Sequence, residues 1–143
     1  MALQIEQFSK KVPFHLFIEK VYFHIVTNFK DGGDLYPLFH ELTNPTNILL
    51  KKHKPTKPVK REDNESMDDV DVEIYKKEIE QFVQRKMNLQ RNMGKTYSLV
   101  WGQCSTALQS FIKGISSFEQ QSAAFDIIWL LTKLKKATSS IDN

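Results

Sequence analysis

A helical apolar period through residues 71–104 constrains the fold of this chain more than any other feature of its sequence. Side chains with apolar character recur there at three- and four-residue steps: Val72, Tyr75, Ile79, Phe82, Val83, Met87, Met93, Tyr97, Val100, Trp101 and Cys104. This spacing predicts one long amphipathic helix. At ~1.5 Å per residue the helix would extend about 50 Å, and Gly94 is the candidate position for a bend.

The same period predicts four shorter helices, at residues 13–29, 34–42, 105–115 and 122–136. Asp31-Gly32-Gly33 ends the first of them. No segment predicts a convincing strand, and five glycines with five prolines are fewer than a turn-rich sheet protein needs. The predicted class is therefore all-α, with about five helices and one long central helix.

Residues 44–70 lack a helical period and contain Pro45, Pro55 and Pro58. The segment first carries six cations, Lys51, Lys52, Lys54, Lys57, Lys60 and Arg61, and an acidic run from Glu62 to Glu73 follows. Low hydrophobicity over this length predicts a disordered, charged, flexible linker. We expect residues 1–43 and 71–137 to form an N-terminal and a C-terminal helical segment that pack together as one domain.

The single cysteine, Cys104, excludes an intramolecular disulfide and any zinc site with two cysteine ligands, and it favours a reducing, cytoplasmic location. Lys20, His24 and Asn28 interrupt the longest apolar stretch, so we expect no membrane partner.

The sequence contains two segments that resemble catalytic motifs, and each lacks one residue that the motif requires. His40-Glu41-Leu42-Thr43-Asn44 begins like a zinc-protease helix, but Asn44 stands where the second imidazole is required. Gly94-Lys95-Thr96 resembles the end of a phosphate-binding loop, but Leu89 occupies the position of its first glycine. We therefore predict no enzyme activity, no metal and no cofactor, while a site that joins Cys104 to a histidine stays as an alternative.

Two binding roles follow from the residues. The six cations between Lys51 and Arg61 could contact phosphates, although no aromatic residue interleaves with them to stack on bases. They could instead belong to a solvated linker that is neutralised by the acidic run. Apolar residues left over on the helices predict self-association, with Phe125 and Trp129 as the candidates on the last helix.

The block Tyr97-Ser98-Leu99-Val100-Trp101-Gly102-Gln103-Cys104 resembles a segment of Gag-like polyproteins from copia-type LTR retrotransposons. The turn Phe29-Lys30-Asp31-Gly32-Gly33-Asp34 and the segment Leu42-Thr43-Asn44-Pro45-Thr46 are also similar to that family, as is the charged stretch that begins at Ile74. The resemblance extends over roughly residues 20–137.

This resemblance implies a helical, capsid-like Gag domain that assembles with copies of itself around the RNA of the element. It also implies that Tyr97, Trp101, Gly102, Gln103 and Cys104 form a structural motif. The chain lacks the Cys-Cys-His-Cys zinc knuckle of a complete Gag. We therefore expect weak RNA binding at most, and the alternative function is an accessory nucleic-acid-binding module that uses the basic segment.

Overall fold

The computed structural model describes residues 7–58 and 69–139. These residues form seven α-helices: α1 (Phe14–Asn28), α2 (Tyr36–Glu41), α3 (Pro45–His53), α4 (Asp69–Gln103), α5 (Thr106–Lys113), α6 (Phe118–Ala123) and α7 (Ile127–Ser139). A short 3-10 helix, Gly32–Leu35, connects α1 to α2. Within the described ranges the one β-type pairing is an isolated bridge between Phe8 and Cys104. The predicted all-α class is confirmed.

The predicted long helix is α4, whose 35 residues run through Gly94 as one continuous helix. Because helical hydrogen bonds continue on both sides of this glycine, Gly94 does not break the helix. The expected count of five helices is wrong for two reasons: residues 122–136 are divided between α6 and α7, and a further helix lies inside the predicted linker.

The further helix is α3, so the prediction of a disordered linker is wrong over Pro45–His53. The side chain of Asn44 caps this helix by accepting a hydrogen bond from the Thr46 amide at 2.9 Å. Pro45 occupies the first turn, where the missing amide proton costs nothing. Leu49 is buried and holds α3 on the core. Residues 59–68 of the predicted linker lie outside the described part of the chain.

The core combines residues from both sides of that gap. α7 packs against α1, α4 and α5, and its buried face consists of Ile127, Leu130, Leu131, Leu134 and Ala137. The chain before α1 joins the same core through Phe8, whose ring stacks on Phe17 with 4.2 Å between centroids. The Phe8 amide donates to the Gln103 carbonyl at 2.7 Å, and the Ser105 amide donates to the Phe8 carbonyl at 2.7 Å. This pairing fixes the end of α4 against the N-terminal segment.

The turn after α1 fixes the position of α4. Arg85 donates two hydrogen bonds to the carboxylate of Asp34, at 2.7 and 2.6 Å. The pKa of Arg85 is raised, chiefly by this hydrogen bonding. One and two turns further along α4, the side-chain amide of Asn88 donates to Asp31 at 3.1 Å and that of Asn92 to the Lys30 carbonyl at 2.8 Å. Arg85, Asn88 and Asn92, which follow one another along one face of α4, therefore all bind the turn formed by residues 30–34.

Candidate functional site

Phe125 and Trp129, the two residues predicted for self-association, line the same open groove, which has a volume of about 830 Å³. The groove runs between the middle of α4 and the start of α7, and the beginning of α3 closes one side. Its apolar lining comes mainly from Met93, Gly94, Phe125, Ile127, Ile128 and Trp129. Gln90, Asp126 and Lys133 supply a polar rim.

Phe125 separates α6 from α7 and exposes 52% of its surface. Its φ is 52°, in the left-handed region that glycine and asparagine adopt far more readily than phenylalanine. The ring meets the Tyr97 ring edge-on, with 5.8 Å between centroids. Tyr97 itself is buried, so one side of the Phe125 ring rests on the core and the other faces the groove.

Trp129 follows one turn later and is only half-buried. The carboxylate of Asp126 accepts a hydrogen bond from the Trp129 amide at 3.0 Å and so caps the start of α7. The indole packs 6.4 Å from the ring of Phe118, and that ring in turn lies 5.4 Å from Trp101. Trp129 thus contributes to the core and to the wall of the groove.

The five residues of the predicted structural motif lie on the last two turns of α4 and just beyond. Tyr97 and Cys104 are buried, Trp101 and Gln103 are half-buried, and Gly102 is exposed. The Trp101 carbonyl accepts a hydrogen bond from the side chain of Gln109 at 2.9 Å, which ties α4 to α5. These contacts join neighbouring elements of the fold.

Burial raises the pKa of the Cys104 thiol to about 12. The thiol donates to the Val100 carbonyl at 3.3 Å, within its own helix. At neutral pH the group is therefore protonated, and a protonated thiol is a poor nucleophile. This environment fits the position of Cys104 in the apolar period of the long helix better than the alternative of a catalytic site.

Four of the six predicted RNA-binding cations fall within the described residues. Lys51 and Lys52 lie in the last turn of α3, and Lys54 and Lys57 follow in the extended segment after it. All four are exposed. Lys60 and Arg61 lie outside the described residues.

The sequence reasoning missed a second basic group, which forms only in the folded chain. One cleft of about 420 Å³ brings these basic residues together. Lys10 and Lys11 come from the chain before α1, His15 from the first turn of α1, and Lys135 from α7. Lysines near the end of a helix are typical of sites that complement the helix dipole, and that local interpretation of Lys135 gives no sign of this convergence. The sequence likewise does not indicate that Met93 and Gly94 line the same groove as Phe125, because about 30 residues separate them along the chain.

Comparison with known proteins gave no match to a family model, to a curated protein or to a solved structure. Among residues 7–58 and 69–139, no group of three histidine, cysteine or acidic side chains is arranged to hold a metal ion. No helix in the same ranges is both long and apolar enough to span a bilayer.

Proposed function

We propose that this chain is a Gag-like structural protein, or a fragment of one, that self-associates in particle assembly and catalyses no reaction. The observation that carries the proposal is the groove, in which both predicted contact residues, Phe125 and Trp129, are found together. The resemblance of the Tyr97–Cys104 block to copia-type Gag polyproteins supports the same function.

The surface around the groove has the character of an association site. Phe125, which lines the groove, is 52% exposed. Met87 and Val83 are each 48% exposed, and they precede the groove residue Gln90 by three and seven residues, a spacing that puts them on the same face of α4. Exposed aromatic and aliphatic residues that cluster, with polar residues at the rim, typically mark protein interaction sites. Burying this surface against a second copy would release water from all three side chains.

The first experiment measures the oligomeric state of the purified chain. Sedimentation velocity and light scattering from low to tens of micromolar protein should show a weight-average mass that rises with concentration above 16.7 kDa. Negative-stain electron microscopy of the concentrated protein should show closed or extended assemblies. A mass that stays at the monomer value over the whole range contradicts the proposal.

A second candidate function, an accessory nucleic-acid-binding module, is favoured by the exposure of Lys51, Lys52, Lys54 and Lys57. Replacing Lys51 and Lys52 by glutamine removes two of these charges from the end of α3. The matched control replaces Lys77 and Lys113, which are exposed on α4 and α5, and changes the net charge equally. If only the α3 variant loses affinity for single-stranded RNA, the second function gains support. Equal losses in both variants indicate attraction to net charge alone.

A further inference from the structure

The cleft between the start of α1 and the end of α7 gathers positive charge from distant parts of the chain. Its basic side chains are Lys10, Lys11, His15 and Lys135, and we call it the basic cleft. Within residues 7–58 and 69–139, no aspartate or glutamate lines the basic cleft, and none of its four basic side chains forms an ion pair. The cleft therefore holds positive charge that no acid of the described chain balances.

The first turn of α1 opens into the basic cleft, since Pro13, Phe14 and His15 are among its lining residues. The Phe17 amide makes the first backbone hydrogen bond of the helix, to the Pro13 carbonyl at 3.2 Å. Pro13 occupies the N-cap position without a side-chain cap, and the first turn contains no acidic residue. Backbone amides at such a helix start carry partial positive charge and bind anions. The helix dipole therefore adds to the charge of the lysines.

One of these lysines is held in position by a neighbouring helix. The Nζ atom of Lys10 lies 5.1 Å from the centre of the Phe111 ring on α5, in a cation–π contact. A side chain that is already restrained loses less conformational entropy when it binds a ligand. The contact therefore prepares Lys10 to bind an anion in the cleft.

We propose that the basic cleft binds a compact phosphate-rich anion, either a free oligophosphate or the phosphate groups of a nucleotide. Phosphate oxygens accept hydrogen bonds from ammonium groups and from the free amides of a helix start. Lysines from two segments and a helix start in one cleft suit an ion that carries several charges on few atoms. The cleft shares no residue with the groove, so this site is independent of the proposed self-association.

A single strand of RNA fits the basic cleft less well than a compact anion. Proteins that bind single strands combine cations with aromatic rings on which the bases stack. The phenylalanine in the lining, Phe14, packs its ring 6.2 Å from the buried ring of Phe8. The cleft therefore offers charge and hydrogen-bond donors, while its phenylalanine belongs to the core.

Calorimetric titration of the full chain with sodium tripolyphosphate tests the charge recognition directly. We expect saturable binding at one site and a higher melting temperature in the presence of the ligand, because the anion binds the folded state. ATP should bind with similar affinity, and adenosine should not bind, because the phosphate groups make the contacts. Binding of ATP and adenosine without binding of tripolyphosphate would overturn the proposal.

The double variant K11Q/K135Q removes one lysine from each side of the cleft. Both side chains are exposed, so the melting temperature without ligand should stay unchanged. We expect the affinity for tripolyphosphate to fall about 10-fold, roughly three-fold for each exposed charge. The matched control K77Q/K113Q removes the same charge from exposed positions on α4 and α5. Its affinity should stay within about two-fold, because salt screens distant charges.

An acid placed at the start of α1 separates binding from folding. His15→Glu puts a carboxylate in the first turn, where it stabilises the helix through its dipole and repels an anion from the cleft. We expect a melting temperature at least as high as that of the unchanged chain and an affinity for tripolyphosphate that is about 10-fold lower or less. Gln120→Glu adds an acid at an exposed position of α6 and should bind normally.

Nuclear magnetic resonance locates the bound anion. The amide signals of His15 and Leu16 should shift during titration with tripolyphosphate. The proposal is wrong if no saturable binding occurs up to about 1 mM ligand, the limit of weak specific binding. It is also wrong if both double variants lose affinity equally, or if the shifted signals lie instead at Lys51 and Lys52 of α3. Single-stranded RNA that shifts the His15 signal when tripolyphosphate does not would make the cleft a nucleic-acid surface and overturn the proposal.

Discussion

At Gly32, an added Cβ atom would lie 2.4 Å from the carbonyl oxygen of Ile25. The atom it meets belongs to the backbone of α1, and Gly32 belongs to the turn that binds α4, so neither can move without disturbing one of these two elements. We expect Gly32→Ala to lower the free energy of unfolding by about 1–3 kcal/mol, the usual cost of overpacking a buried site. Urea denaturation followed by circular dichroism measures this loss.

Gly33 is the matched control for this prediction, because a Cβ there meets no atom within 4 Å. Gly33→Ala should change stability by less than about 0.5 kcal/mol, as expected for an exposed substitution without special contacts. Equal effects of the two substitutions would contradict the close approach of α1 to the turn.

The buried thiol of Cys104 should make the stability of the fold depend on pH in the alkaline range. Burial raises the folded-state pKa of its thiol from 9.0 to about 12, so the unfolded chain loses this proton at lower pH than the folded chain. Over that interval the folded state binds more protons, and the free energy of unfolding must fall as pH rises. The stability that the raised pKa of this thiol contributes is fully present below pH 9.0.

The measurement is chemical denaturation between pH 8 and the highest pH at which refolding is reversible. Cys104→Ala serves as the control, because alanine cannot titrate. It should reduce the alkaline slope even if its stability at pH 8 is lower. An unchanged slope would indicate that other groups cause the alkaline loss.

Alanine substitutions at two glycines of α4 test separately how this helix contributes to stability and how it contributes to the groove. Gly94 and Gly102 both lie within the helix, and neither would bring a Cβ within 4 Å of a neighbouring atom. Glycine inside a helix costs roughly 0.5–1 kcal/mol relative to alanine. We therefore expect Gly94→Ala and Gly102→Ala each to raise the melting temperature.

Of the two glycines only Gly94 lines the groove, so its new methyl group would reduce the space that the groove offers to a second copy. Gly94→Ala should weaken self-association several-fold, whereas Gly102→Ala should leave it unchanged. Sedimentation velocity of the two variants at equal concentration tests this difference. If both variants associate like the unchanged chain, the floor of the groove does not contact a partner.

At the scale of the whole molecule, the net charge of +3 and the exposed lysines after α3 predict weak, sequence-independent RNA binding. Affinity should fall with salt, with a log–log slope of about −0.7 for each phosphate contacted on a single strand. We expect the dissociation constant at physiological salt to stay within the ~10⁻⁴–10⁻⁶ M usual for non-specific binding. Filter binding with a single-stranded RNA tests this, and submicromolar affinity at about 150 mM salt would contradict it.

The sequence by itself determined the helical class and the long helix α4, because both depend on a repeat of apolar residues within one segment. Spacing of three and four residues along residues 71–104 specifies an apolar face whatever packs on it. The buried state of Tyr97 and Cys104 follows from the same period. Local rules also found the end of α1, since Asp31-Gly32-Gly33 cannot easily continue a helix.

Only the tertiary structure decided the remaining features, because they depend on residues far apart in the chain. α3 carries few apolar residues, so its helix is stabilised by packing of Leu49 and by the Asn44 cap rather than by a visible period. Phe125 adopts a glycine-like backbone because the capped ends of α6 and α7 meet there. The groove exists because this turn lies against Met93 and Gly94 of α4, and no local pattern specifies that approach.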